Sequence, residues 1–201
     1  MYEKRGLEIT AIDAEPLALA RACTPALAAT GMTAILDMSW GPASLSLIHQ
    51  GIVTFNRRIP DGAMGPLHAS LGTTLGLEHD VIEYLLDEES SGTATSNEQS
   101  APMPDVGSRL ISSFVDAVVK ELSLSFNYAS NQYPHAEVSK LLLVGGGASM
   151  KDLATCLAAL LKIEVVRVSP AELAACEPAM LSLCASPAMT LAFGLALRAL
   201  A

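Results

Sequence analysis

Three consecutive glycines at the end of an apolar run are the strongest candidate for a ligand-binding loop in this sequence. Residues 141–144 are apolar, Gly145, Gly146 and Gly147 follow, and an amphipathic segment comes next. Glycine lets a backbone approach a bulky polar ligand, and the free amides of a helix N-terminus favour an anion such as a phosphate. The layout predicts half of a nucleotide site. The sequence has neither the G-x-x-x-x-G-K-[ST] pattern nor G-x-G-x-x-G with a following acid at the right interval.

Groups capable of acid–base or metal chemistry are otherwise scattered. Asp13 and Glu15 are close enough to suggest paired carboxylates, but acids at a helix start satisfy its free amides and its dipole. The histidines have no metal-ligand spacing and no accompanying G-x-S-x-G motif, which favours ordinary surface or loop roles. We therefore predict no metal site. The histidines are His49, His68, His79 and His135.

Composition narrows the class of protein. A chain of 201 residues, 51% hydrophobic and 16% charged, is long enough for one sizeable core or two small ones. The net charge of −9, with no basic cluster beyond Arg57-Arg58, excludes nucleic acid and gives no footprint for an anionic membrane. The four cysteines lack C-x-x-C spacing and no secretory segment opens the chain, so reduced, buried thiols in a cytoplasmic protein are expected. Residues 180–201 are apolar, but Pro187 and Arg198 favour a core helix over direct membrane insertion.

Short strands are predicted wherever apolar residues alternate with polar ones or form a brief continuous run. One strand ends at Asp37, and two others form a hairpin across Gln50-Gly51, where glycine accommodates a positive φ. The predicted strands cover residues 7–12, 33–37, 44–49, 52–58, 141–144 and 163–168.

Helices are predicted between these strands, which favours a mixed α/β fold. A short helix runs through Ala18 and Ala22 and ends at Pro25, and two others cover 67–75 and His79–Leu86. Gly194 would permit close approach of the last helix to its neighbours. The expected inward faces are Ile111, Phe114, Val118, Leu122 and Phe126 in the longest helix, Leu153, Cys156, Leu157, Leu160 and Leu161 after the glycines, and Leu191, Leu195 and Leu197 after Pro187.

One segment has a different composition from the rest. Residues at about 87–108 are acidic and rich in Ser, with too little apolar surface to offset the entropy of ordering. We predict a mobile loop there, inside a single lobe that spans residues 1–201, and not a domain boundary.

Several motifs together resemble a known family. They are A-E-P-L-A-L-A-R-A at 14–22, I-L-D at 35–37, F-N-R-R-I-P at 55–60, Glu121-Leu122 through Ser125 to Tyr128, L-V-G-G-G-A at 143–148 and G-L-A-L-R at 194–198. This set closely resembles PilM-type pilus-assembly proteins, relatives of the division protein FtsA among the actin-like ATPases. The resemblance covers nearly the whole chain but only about the last half to three-fifths of such a protein.

The resemblance implies a fold, a cofactor and a partner. The fold would be the second lobe of an actin-like (ribonuclease H-like) ATPase, a mixed sheet with flanking helices, and ATP with Mg would bind between that lobe and a first lobe. The family works in the cytoplasm, peripheral to the inner membrane, in type IV pilus assembly. It couples to the inner-membrane protein PilN through the short cytoplasmic N-terminus of that partner.

The same resemblance assigns candidate site residues and exposes departures. Asp37 would act on Mg-bound or attacking water, although it could also simply cap the loop after its strand. In the family that loop resembles D-I-G-x-S-S-T, whereas here Ser39 replaces a glycine, Trp40 adds bulk and Pro42 removes an amide donor. These changes weaken a phosphate cradle. The candidate ATP contacts are Gly145, Gly146, Gly147, Ser39 and Gly41.

The leading hypothesis is therefore a non-catalytic, PilM-like scaffold of a type IV pilus or related secretion assembly that acts by protein contacts. One alternative is an ATP-binding enzyme whose first lobe comes from another polypeptide or is missing from this chain. Another is the cytoplasmic actin-like part of a type II secretion L-type protein. Self-association or a constitutive partner is expected in each case, because a lobe that evolved against another leaves apolar surface uncovered.

Overall fold

A five-stranded mixed sheet organises the protein in the computed structural model, which describes residues 12–87, 105–134 and 136–198. The strand order is β3-β2-β1-β4-β5, with β1 antiparallel to β2 and parallel to β4. All six residues of β1 are buried, as expected of a central strand covered on both faces. The strands are β1 (Met32–Asp37), β2 (Ala43–His49), β3 (Ile52–Ile59), β4 (Val138–Val144) and β5 (Glu164–Arg167).

The hairpin predicted across Gln50-Gly51 is present. His49 pairs with Ile52, so the connection has two residues, and both have positive φ, 51° for Gln50 and 77° for Gly51. Two positive φ angles give a turn whose twist matches that of the flanking strands. The strands predicted at 33–37, 141–144 and 163–168 also correspond to β1, β4 and β5.

Helices cover both faces of the sheet and enclose two hydrophobic clusters. Side chains alternate along β1, so Ala34 and Leu36 face a larger cluster with α2, α4 and α5, whereas Ile35 faces a smaller one with α1 and α8. The helices are α1 (Glu15–Ala22), α2 (Met64–Leu75), α3 (His79–Leu86), α4 (Asp105–Gln132), α5 (Leu153–Leu161), α6 (Pro170–Leu173), α7 (Leu181–Cys184) and α8 (Thr190–Leu197).

The first and last helices of the described chain, α1 and α8, pack closely through Gly194. A Cβ at that position would collide with the Ala18 carbonyl, so the predicted close approach is confirmed. The predicted inward face of α8 is wrong in part, because Leu195 is 44% exposed and the buried positions are Thr190 and Gly194. Gly194 and Thr190 occupy the face of α8 that contacts α1 and the core, so Leu195 points toward solvent.

Some expectations about burial and boundaries need correction. Cys156 and Leu160, two of the predicted inward residues of α5, are exposed. Leu153 and Leu157 are buried in the core, and Leu161 packs against it partly buried. Of the cysteines, Cys23 is buried, while Cys176 and Cys184 are half-buried. The four thiols are therefore not all core side chains.

Two predicted segments fall largely outside the described residues. These are the strand over 7–12, of which only Ile12 is described, and the loop at about 87–108, of which 88–104 lies outside. The end of that loop was placed too late, since residues 105–108 begin α4. Within the described ranges no single helix is long and apolar enough to cross a membrane, although the bent pair Pro178–Cys184 and Pro187–Leu197, at 92°, passes a test of length and composition alone.

Candidate functional site

Asp37 and Gly145 lie side by side because β1 and β4 run parallel and in register. Asp37 pairs with Val144, and the Met38 amide donates to the Val144 carbonyl at 2.9 Å. The carboxyl ends of both strands therefore open onto the same edge of the sheet, where a cavity of about 530 Å³ is lined by both loops and by α2 and α3. This volume suits a small-molecule ligand.

The glycine loop is held by hydrogen bonds within the protein. The Gly145 amide donates to the Pro187 carbonyl at 3.1 Å, and the Gly147 amide donates to the Met38 carbonyl at 2.8 Å. The amphipathic helix predicted after Gly145-Gly146-Gly147-Ala148-Ser149 is present as α5, but it begins only at Leu153, and a 3₁₀ turn covers Gly146–Ser149. Two of the amides expected to face an anion are thus already paired.

The three glycines differ in whether the structure has room for a side chain at their position. Gly145 has φ 84° and ψ 170°, a region that is essentially limited to glycine, and a Cβ there would lie 2.6 Å from the Met38 carbonyl oxygen. A Cβ on Gly147 would lie 2.9 Å from the Met38 Cβ and 2.8 Å from the Met64 Sδ. Only beside Gly146 is there open space within 4 Å. Backbone geometry and packing therefore explain two of the three.

The Asp37 carboxyl is buried, with 7% of the residue exposed, and it belongs to a charged group that the sequence did not reveal. Burial, followed by the nearby negative charge of Glu15, raises the pKa of Asp37 to about 6, while Arg58 acts in the opposite direction. Arg58 Nη2 bonds Glu15 Oε2 at 2.7 Å. The other Glu15 oxygen, Oε1, is buried and has no hydrogen-bond partner among the described residues.

Glu15 and Asp13 are therefore more than acids at the start of a helix. The residue before α1 is Ala14, whose own side chain caps no amide. Asp13 Oδ1 accepts from the Ala14 amide at 2.9 Å, as the interpretation of a helix-start acid expects. Asp13 also pairs with Arg21 at 2.9 Å and with Arg198 at 3.6 Å, so guanidinium groups from α1 and from beyond α8 reach it. No local sequence signal marks Glu15 as a neighbour of Asp37, since packing of α1 at the sheet edge brings them together.

The loop after Asp37 packs on the start of α2. The amides of Met64 and Gly65 donate to the carbonyls of Ser39 and Trp40, at 3.1 and 2.9 Å, so free amides at this helix N-terminus are also consumed. Ser39 and Trp40 line the cavity. A Cβ added to Gly41 would meet nothing within 4 Å, and Gly41 is not among the residues that line the cavity.

Three aromatic rings form one wall of the cavity. The centroid of the Trp40 ring lies 5.1 Å from that of His68 and 5.3 Å from that of His79, and the two imidazoles are 5.1 Å apart. Trp40 is 59% exposed, whereas His68 is buried and its Nδ1 has no hydrogen-bond partner in the described protein. Burial and the neighbouring His79 lower the pKa of His68, against an opposite effect of Glu83. The expectation that these histidines are isolated is wrong, because α2 and α3 bring them together, and His68 is buried, whereas His79 is exposed as expected of a surface histidine.

The charged lining of the cavity is acidic. Among the described residues its formally charged side chains are the carboxylates of Asp37, Glu83 and Asp87, with no lysine or arginine, while Ser39, Ser149 and Ser186 contribute hydroxyls. Phosphate recognition normally uses amides, hydroxyls and cations. Here the amides of Gly145 and Gly147 are paired internally. No group of three or more His, Cys, Asp or Glu side chains in the described ranges is arranged to hold a metal.

Solved structures define the class of fold. The chain is similar to a PilM–PilN type IV pilus biogenesis complex, with a TM-score of 0.76 and 21% identity over 98% of this chain and 55% of that one. It is also similar to Ta0583, an archaeal actin homolog, with a TM-score of 0.59, 13% identity, and coverage of 94% and 55%. A third is MreB 5 of Spiroplasma citri bound to AMPPNP, with a TM-score of 0.59, 12% identity, and coverage of 97% and 60%. The protein has the actin-like ATPase fold, and it spans about half the length of these relatives.

A comparison of the sequence with models of protein families identifies the particular family. A family model described as type IV pilus assembly protein PilM matches residues 1–200. The chain therefore belongs to the PilM family of type IV pilus assembly proteins. No curated protein sequence gives a match.

Proposed function

We propose that this chain is a non-catalytic scaffold of a type IV pilus or related secretion assembly and that it acts by protein–protein contacts. One observation carries the proposal: the cavity where an actin-like ATPase would hold phosphates has an acidic lining, and the amides of Gly145 and Gly147 are bonded to protein carbonyls. A polyphosphate there would face carboxylates, and no lysine or arginine among the described lining residues would offset that repulsion, whose cost grows with burial.

The partner we propose is a PilN-like inner-membrane protein, because a solved relative is a PilM–PilN complex. The scaffold would then work in the cytoplasm and be held at the inner membrane through that partner. A synthetic peptide matching the cytoplasmic N-terminus of the PilN-like protein is the probe. Binding at about micromolar Kd, worth about 8 kcal/mol, would support this partner, and absence of binding at millimolar peptide would exclude it for this chain.

Nucleotide binding is the decisive test of the non-catalytic role. Isothermal calorimetry with Mg-ATP and Mg-ADP should give no binding at millimolar concentration, where affinity is worth only about 4 kcal/mol. Release of phosphate from ATP should match the rate without protein. Magnesium-dependent hydrolysis that Asp37→Asn abolishes would overturn the proposal. Asp61→Asn is the matched control, since Asp61 is exposed and does not line the cavity.

A second candidate is an ATP-binding enzyme that needs a further lobe from another polypeptide. Two features favour it: Gly146 borders open space in the cavity, and the carboxylates of Asp37 and Glu15 are near enough to interact. A related fold has been solved with AMPPNP. This candidate predicts ATP binding only when the second polypeptide is added, whereas the scaffold predicts none with either preparation.

A further inference from the structure

The Trp40 indole is held in place by the protein and is nevertheless largely exposed. A Cβ added to Gly65 would lie 2.9 Å from the indole Nε1 and 3.0 Å from its Cε2, so the ring lies directly against the start of α2. The imidazoles of His68 and His79 pack on the same ring, with centroids at 5.1 and 5.3 Å. Even so, 59% of Trp40 is exposed, and the residue lines the cavity. A fixed aromatic surface is therefore available to a ligand in the cavity.

Negative charge surrounds this aromatic wall. The Glu83 Oε2 lies 4.0 Å from the His79 Nε2, and the carboxylates of Asp37 and Asp87 line the same cavity. Among the described lining residues there is no lysine or arginine to balance them. An exposed indole beside carboxylates favours a cationic ligand, because the face of an aromatic ring also attracts positive charge.

The buried His68 belongs to the same wall and has a polar atom without a partner. Only 8% of the residue is exposed, and its Nδ1 has no hydrogen-bond partner among the described residues, although buried polar atoms are normally paired. Burial, followed by the neighbouring His79, lowers the pKa of His68, so the ring is uncharged at pH 7.5 and does not repel a cation. A neutral imidazole nitrogen can accept a hydrogen bond from a cationic N–H group.

We propose that the cavity binds a guanidinium group, which stacks on Trp40 and pairs with the surrounding carboxylates. A guanidinium is planar, stacks on aromatic faces and bonds carboxylates through two N–H groups at once. The volume of about 530 Å³ accommodates a ligand of this size. A metal ion fits less well, because no group of three or more His, Cys, Asp or Glu side chains in the described ranges is arranged to hold one.

The guanidinium has two possible sources, an arginine side chain of a partner polypeptide and a free small guanidine. Both present the same chemistry to the cavity, and the experiment below distinguishes them. The inference rests on the acidic cavity that carries the proposed function, but it assigns a ligand that the scaffold role does not require.

The test uses Trp40 as its own reporter, because it is the only tryptophan in the sequence. Titration with Nα-acetyl-arginine amide should change its fluorescence saturably, with a Kd of about 1 mM or tighter. Nα-acetyl-citrulline amide, which has nearly the same shape but no charge, should give no saturable change. Equal responses to the two compounds would show that charge is not recognised and would overturn the proposal.

Matched variants assign the binding to the cavity, and ligand-observed NMR measures them because Trp40→Leu removes the fluorophore. Trp40→Leu should weaken binding at least about fivefold, and Glu83→Gln should weaken it about threefold. Asp80→Asn is the matched control, since Asp80 lies on the same helix, is exposed and does not line the cavity. Circular dichroism checks that each variant is folded. Unchanged affinity in Trp40→Leu, or equal losses in Glu83→Gln and Asp80→Asn, would contradict the assignment.

Two further probes separate the sources of the guanidinium. If a partner polypeptide supplies it, the peptide Gly-Gly-Arg-Gly-Gly should bind at least as tightly as the blocked amino acid. If a small molecule supplies it, agmatine should bind and the peptide should be excluded. Absence of saturable binding by all three guanidines at about 10 mM would overturn the proposal and leave the scaffold role intact, because calorimetry with Mg-ATP tests that role separately.

Discussion

The loop after β4 and the loop after β1 lie side by side at one edge of the sheet, yet they tolerate different amounts of change. In the first, Gly145 and Gly147 each lack room for a Cβ, and their amides are bonded within the protein. In the second, Gly41 has open space and Trp40 is 59% exposed. Backbone geometry and packing thus account for Gly145 and Gly147 of the motif that identifies the family. The loop that would provide the chemistry has less structural constraint.

The largest effect is expected for Gly145→Ala. The substitution forces an alanine into a glycine-only backbone conformation and places its Cβ against the Met38 carbonyl, which should lower the free energy of unfolding by at least about 3 kcal/mol. Urea unfolding followed by circular dichroism measures the loss. Gly41→Ala is the matched control and should change stability by less than about 0.5 kcal/mol. Equal losses in the two variants would remove the contrast between the loops.

The next effect has the opposite sign. Asp37→Asn should stabilise the protein at pH 7.5 by about 2 to 3 kcal/mol, because the folded state holds the carboxylate at an elevated pKa. The pKa rises from 3.8 to about 6 on folding, so the wild type gains stability as pH falls through about 6 and the folded state takes up the proton. The advantage of Asn should therefore shrink below pH 6 and be gone at about pH 4.

Urea unfolding at a series of pH values measures this difference. Asp61→Asn should show no comparable change across the range, since Asp61 is exposed. If Asp37→Asn destabilises the protein by the same amount at every pH, the carboxylate makes a favourable contact and the desolvation argument fails.

The smallest effect is expected when two glycines of the same loop, Gly147 and Gly146, are compared. Gly147→Ala should cost about 1 to 2 kcal/mol, because its Cβ would press on Met38 and on the flexible end of Met64, which is able to move. Gly146→Ala should be close to neutral, since nothing lies within 4 Å. Thermal melting of the two variants compares them. If Gly146→Ala destabilises the protein more than Gly147→Ala does, open space does not predict tolerance of a side chain, and Gly146 has a structural role that its surroundings do not reveal.

Local patterns predicted most of the elements because their causes are local. The hairpin follows from Gln50-Gly51, and the long helix α4 follows from apolar residues three or four positions apart. Three consecutive glycines after an apolar run likewise predict the tight turn at the end of β4. The 3₁₀ turn over Gly146–Ser149 has no such signal, because it depends on bonds to Met38 and Pro187.

The site was harder to predict, because its neighbours are distant in sequence. Glu15 meets Asp37 only after α1 packs at the sheet edge, and His68 and His79 meet Trp40 only after α2 and α3 fold over the loop. A lone histidine or a lone acid carries no information about such partners. The resemblance to PilM proteins identified the candidate loops, while the acidic lining of the cavity emerged from tertiary packing alone.

The contact between α1 and α8 has a consequence for the order of folding during synthesis. The Arg21 side chain donates to the Gly194 carbonyl at 2.6 Å across 173 positions of sequence. Because α1 precedes α8 in the chain, the side of α1 that packs on α8 is covered only after α8 has been made, whereas its contacts with the sheet form from earlier strands. The contact between the first and last helices of the described chain is therefore among the last to form during synthesis.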